Sequence, residues 1–228
     1  MTIKEIQTEI DKTKTDMGDF IELYKTEHTA GHYENWNSKD VIAHILEWII
    51  FSKNKLQAIA YNRQFEEVCD IDAFNRQAWI KNKDKHIGEL KESIMFELDE
   101  YNKTVLLYSD CDLQKKDLPT GFSFELWRYM IMDTVTHPVL HMLYYMLKTK
   151  KYERFVLLCE KRHKTFYRYS NGSPAVYSFA DYIEDKTQFS ENIQAVASMY
   201  PNKDVIDIIL KVNHEITGIA APPPHALP

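Results

Sequence analysis

The residues from Phe122 to Lys150, FSFELWRYMIMDTVTHPVLHMLYYMLKTK, form the longest apolar-periodic run of the chain. At about 3.6 residues per helical turn, Met130, Thr134, His137, His141 and Tyr144 fall on one stripe, flanked by Trp127, Ile131, Val135, Pro138 and Tyr145. The spacing predicts one long helix whose two histidines share the face that a core would cover. Pro138 sits between them. Inside a helix it lacks the N–H that would bond the Thr134 carbonyl, and its ring crowds that carbonyl, so a kink is expected there.

The preceding residues show the same period. Thr2 followed by Glu5 has the spacing of a capping box, and Ile3, Ile6, Ile10, Met17, Phe20, Ile21 and Tyr24 continue as a stripe, predicting a first helix over 3–26. A second, over 38–62, starts from Asn37 or Ser38 as cap and turns Val41, His44, Ile45, Trp48 and Ile49 inward. A third covers 83–108, with IDAFNRQAW leading into it and Ile87, Leu90, Ile94, Leu98, Tyr101 and Val105 at helical spacing. The linker SDCDLQKKDLPTGF holds Pro119 and Gly121 and is long enough to cross the end of a bundle. With only six glycines in 228 residues and long stretches free of helix breakers, the chain reads as all-α. A four-helix bundle with a long crossover over residues 1–155 is the economical architecture, and such bundles build sites from side chains on facing helices.

Past Lys150 the chain turns basic and aromatic, KYERFVLLCEKRHKTFYRYSNGSP, and residues 190–200 and 202–216 read as two short amphipathic helices. Residues 156–217 are expected to form an accessory helical region packed on the bundle, and 218–228, ending in APPPHALP, a disordered tail. The lysines and arginines from Lys148 to Arg168 read as a solvated helix face, with a phosphate-bearing partner as the alternative. Lys and Arg number 28 against 34 Asp and Glu, a net charge of −6 that argues against general affinity for nucleic acid or an anionic membrane. The charged N-terminus lacks the apolar core of a signal peptide, and no run approaches the length of a membrane span. Cys69, Cys111 and Cys159 show no CxxC spacing, so neither a disulfide framework nor a zinc ribbon is implied, and a cytoplasmic setting is expected.

His44 on the second helix and His137 with His141 on the fourth could meet across the bundle. Three neutral imidazoles with one or two waters suit zinc, nickel or iron(II) and leave room for a substrate; the alternative is a metal-free core in which each ring packs singly and donates to a backbone carbonyl. Nine histidines make a chance HxxxH pair common, and His28 with His32 shows the same spacing where Gly31 marks a loop. Asp133, one turn before His137, and Glu47 are candidates to orient an outer ring nitrogen. The aromatic side chains of Trp48, Trp79, Trp127, Tyr144 and Tyr145 would shape a pocket around this centre.

WNSKDVIAHILEW, from Trp36 to Trp48, resembles the second-helix signature of the DinB-like superfamily, in which a tryptophan, a short polar turn and a helix carrying one histidine precede an HxxxH on the fourth helix. Followed by FNRQAWIKNKD, it is most similar to the ClbS/DfsB branch, whose namesake protects its host from a self-made genotoxin by opening a reactive cyclopropane. The resemblance covers residues 1–155 and implies a DinB-like four-helix bundle, with Trp48, Phe74, Asn75 and Trp79 near a small-molecule pocket. In metal-binding members the ligands match His44, His137 and His141. The chain departs from them at HPVLHMLYY, where Met142 to Tyr145 do not reproduce the HxxxHxGQ-like ending, and the ClbS-like branch need not use a metal.

Three functions are consistent with these residues. The first is a ClbS/DfsB-like protective protein that binds a small electrophilic compound and either sequesters or hydrolyses it. The second is a three-histidine, divalent-metal-dependent transferase that adds a low-molecular-weight thiol to such a compound. The third is a non-catalytic helical module whose aromatic face pairs with a second copy as a homodimer or with a regulator. Neither the substrate nor a catalytic residue follows from the spacing.

Overall fold

In a computed structural model, residues 1–27, 35–151, 186–198 and the single positions 154, 155, 157, 158, 161, 162, 210 and 214 are described. Thr2 and Glu5 close the expected capping box: the Glu5 N–H donates to Thr2 Oγ1 at 3.3 Å and the Thr2 N–H to Glu5 Oε2 at 2.8 Å. Helix α1 runs from there over Ile3–Leu23. Asn37 is the cap of α2, Ser38–Ala60, through a reciprocal pair of bonds with Asp40.

The connection to the next long helix is more ordered than its sequence predicts. IDAFNRQAW belongs to a separate helix, α3 (Ile71–Asn82), begun by the Asp70 carboxylate accepting from the Ala73 N–H. A turn in which the Lys85 N–H donates to the Asn82 carbonyl separates it from α4, Ile87–Val105. The cap of α4 is His86, whose Nδ1 accepts from the Gly88 N–H. Histidine is not a usual N-cap, so this break carries no ordinary sequence signal.

Helix α5 (Leu126–Ile131), one π-helical turn over Met132–Thr136 and α6 (His137–Lys148) follow one another without a gap. The π-helical turn is how the helix accommodates Pro138. The His137 N–H reaches five residues back to the Met132 carbonyl, which inserts one extra residue immediately before the proline. Thr134 and Thr136 donate their hydroxyls to the Met130 and Met132 carbonyls at 2.6 and 3.1 Å, supplying partners in the stretch where the regular ladder is interrupted.

These helices make an all-α bundle, with no strand among the described residues. Helix α2 packs on α3 and α4, and α1 packs on α4 and on the α5 stretch. Ile6, Ile10 and Phe20 of α1, Ile42, Ile45 and Ile49 of α2, Leu90, Ile94 and Leu98 of α4, and Met130 and Met142 form the buried interior. Each such side chain contributes roughly 1.5–3 kcal/mol through burial, which is why their helical spacing dictates the faces that meet. The chain divides into two compact units, Met1–Tyr145 and Met146–Pro228; the second contains a further helix, α7, over Lys186–Ser198. His28 and His32, the basic residues Lys164 and Arg168, most of the helix expected over 202–216 and the tail expected at 218–228 lie outside the described residues. Among those described, no helix is long and apolar enough to cross a membrane.

Candidate metal centre

Helix α2 carries His44 on its buried stripe, and α6 presents His137 and His141 one turn apart. Their Nε2 atoms converge: His44 to His137 is 3.0 Å, His44 to His141 3.1 Å and His137 to His141 2.9 Å. His44 is 6% exposed, whereas His137 and His141 each keep part of their surface open. The centre is therefore densely surrounded, with the only partial exposure among the three residues at His137 and His141.

Three neutral imidazoles cannot satisfy one another in this arrangement. Each Nε2 offers either a proton or a lone pair, so of three such atoms two must be alike, and at least one side of the triangle sets proton against proton or lone pair against lone pair. A cation at the centre removes the conflict, because all three rings can then turn lone pairs inward. Protonation is not the remedy. Burial holds His44 and His141 well below the usual histidine range, with the neighbouring rings adding to the effect, and lowers His137 to about 4, again through burial. Neutral rings with converging lone pairs are what a divalent first-row ion requires, and these three histidines could hold one.

The surroundings of the rings differ from the expectation. Asp133 does not orient His137. It lies in the bundle interior near Ser52, Tyr129 and Lys55, where burial raises its carboxyl to about 7 against the opposing pull of the two hydroxyls and the ammonium. Glu47 is likewise engaged elsewhere, accepting from Lys81 Nζ at 2.8 Å and Asn82 Nδ2 at 2.9 Å. His44 Nδ1 is buried with no hydrogen-bond partner, although the Asn75 side chain is near enough to favour the protonated ring slightly.

Of the expected pocket residues, Trp48, Phe74 and Asn75 come together. Trp48 Nε1 donates to Asn75 Oδ1 at 3.0 Å, its ring lies 4.6 Å from Phe74, and it stands edge-on to His137 at 6.1 Å. Trp79 is one turn further along α3, under Lys83 Nζ at 5.5 Å from its ring, and Tyr144 is half-buried on α6 just beyond His141. Two aromatic residues belong elsewhere. Tyr145 packs with Phe20 and Tyr24 and donates to Glu27, and Trp127 lies against the Arg128 guanidinium. Sequence reasoning gave three aromatics of this region no place in the pocket: Trp36, named only as the start of the second-helix signature, 4.8 Å from the His44 ring; Phe51, 5.7 Å from Trp48; and Phe65, 5.0 Å from Phe51. Phe51 was legible as the i+3 neighbour of Trp48 on α2; Phe65 lies in an irregular connection and had no periodic signal.

No family model, no curated protein and no solved structure matches this chain.

Proposed function

We propose that this chain is a cytoplasmic, metal-dependent enzyme of DinB-like type, in which His44, His137 and His141 hold a divalent ion and a small electrophilic molecule binds beside them. The observation that supports the metal is the triangle of Nε2 atoms, whose internal conflict a cation resolves and neutral packing does not. Zinc, nickel and iron(II) all accept imidazole nitrogen. When bound, such an ion supplies Lewis acidity to an oxygen, nitrogen or sulfur donor entering the site.

The protein's own contribution is positioning. Burial keeps the three rings neutral at pH 7, so they are available as ligands without first losing a proton. Asn75 fixes the Trp48 indole, and Trp48 with Phe74 forms a wall against which a small molecule can be oriented. In this reading a small molecule reaches the ion past His137 and His141, the two partly exposed ligands. The nucleophile in this reading is water or a low-molecular-weight thiol, giving hydrolysis or thiol transfer.

Metal analysis of protein purified without a histidine tag tests the proposal. One equivalent of a first-row divalent ion per chain is expected, with loss of that ion in His137→Ala while the helical circular dichroism is retained. A wild-type protein that stays metal-free after incubation with Zn2+, Ni2+ and Fe2+ would refute the metal-dependent reading and leave the metal-free ClbS/DfsB-like hydrolase as the better one.

A further inference from the structure

The size of the nitrogen triangle bears on what else can bind there. Its sides are 2.9, 3.0 and 3.1 Å. At metal–nitrogen bonds of about 2.0–2.1 Å, two ligand nitrogens stand about 3.3–3.4 Å apart at the tetrahedral angle and about 2.8–3.0 Å apart at a right angle. Two of the observed sides fall in the right-angle range and the third, 3.1 Å, is nearer to it than to the tetrahedral spacing, which matches one face of an octahedron. An ion held on such a face would keep adjacent positions open on its far side, and adjacent positions would accept the two arms of a chelate.

A series of partly exposed rings leads away from this centre. Trp48 meets His137; Phe74 and Phe51 both meet Trp48 and each other, at 4.6, 5.7 and 5.6 Å between ring centroids; Phe65 continues the series from Phe51. Charged side chains on the same helices are already engaged, Lys39 Nζ with the Lys83 carbonyl and Glu47 with Lys81 and Asn82. The wall therefore offers ring faces and edges, which favour a flat unsaturated partner.

We infer that the ligand of this centre is a bidentate chelate carried on a flat aromatic body, its two donor atoms on the ion and its ring against Trp48, Phe74 and Phe51. The inference rests on the three histidines holding a metal ion, and it adds the ligand class that the metal reading leaves open.

Two hydroxamates separate the parts of this claim, because they share one chelating group and differ in the body attached to it. Ni2+ is first bound to the full chain and its retention checked by dialysis, and the affinities of benzohydroxamate and acetohydroxamate are then measured by calorimetry. Relative to the same ratio for Ni2+ free in solution, benzohydroxamate should be favoured by about tenfold. Phe74→Ala and Phe51→Ala should each reduce that preference, and Phe74→Leu, which keeps bulk without a ring, guards against a folding defect. O-Methylbenzohydroxamate, with the ring but a blocked chelating oxygen, should bind much more weakly. Equal affinities for the two hydroxamates, a preference that survives both alanine variants, or tight binding of the O-methyl compound would each overturn the inference with the metal site intact. Failure of the wild type to retain Ni2+ would overturn both readings, and it is seen before any hydroxamate is added.

Discussion

His44 Nε2 stands 3.0 Å from His137 Nε2, although 93 residues of chain separate them and they sit on different helices. The contact joins α2 to α6 inside the first compact unit. An ion bound there belongs to the folded state alone, because the unfolded chain has no reason to bring the two helices together.

Metal binding should therefore raise the melting temperature. At free metal about a hundredfold above the dissociation constant, the added stability is about 2.7 kcal/mol, or an increase of roughly 5–10 °C for a chain of this size. His137→Ala and His44→Ala should lose the increase. Thermal scans with and without Ni2+ check this, and an equal rise in all three proteins would place the metal elsewhere.

In the metal-free protein the histidines should make the fold acid-sensitive. Their folded pKa values are depressed by burial from 6.5, that of His137 to about 4. Below the unfolded value the unfolded chain takes up protons that the folded chain resists. The stability associated with neutral rings is present above about pH 6.5 and is lost as pH falls toward 4. Denaturation midpoints over this window should fall for the wild type and fall less steeply for His137→Gln. Saturating metal should shift the loss to lower pH.

Asp133 should act in the opposite direction. Its folded pKa is raised to about 7, chiefly by burial, so between pH 4 and 7 the unfolded carboxyl ionises while the folded one keeps its proton, and stability drops as pH rises. Asp133→Asn removes that penalty. The variant should be close to neutral at pH 4 and more stable than the wild type at pH 8, by up to about 4 kcal/mol. Urea titrations at the two pH values decide it, and destabilisation at pH 8 would mean that the ionised carboxylate has better partners than Ser52 and Tyr129.

Glu27 links three helices through one oxygen. Its Oε2 accepts from Tyr145 Oη at 2.7 Å and from the Ser38 N–H at 3.0 Å, so the segment after α1, the start of α2 and the middle of α6 converge on it. Tyr145→Phe should cost about 1.5–3 kcal/mol, the usual range for a hydrogen bond to a charged group, measured by the urea midpoint. Nickel affinity should be unchanged, since Tyr145 faces Phe20 and Tyr24 and not the histidines.

How far the candidate site was legible depends on how local each of its signals is. His137 and His141 share a face because an α-helix places every fourth residue there, and His44 is buried because its neighbours on the stripe are apolar; both are visible in the residues themselves. The partners of Asp133 and Glu47 were not. One turn of separation made Asp133 look like a support for His137, but Asp133 sits inside the π-helical turn, and of its partners Tyr129 lies one turn back along the same stretch while Ser52 and Lys55 come from α2. The break before α4 was hidden because its cap is a histidine.

The positions of α1 and α2, the buried stripes and the all-α class follow from the sequence alone, because capping and the 3.6-residue period act over a few neighbours along the chain. The meeting of three ring nitrogens within about 3 Å, the route the bulged helix takes past Pro138 and the choice of partner for each buried carboxyl were decided only by the tertiary structure. Helix crossing and register determine those contacts, and they depend on the packing of every side chain in the interior at once.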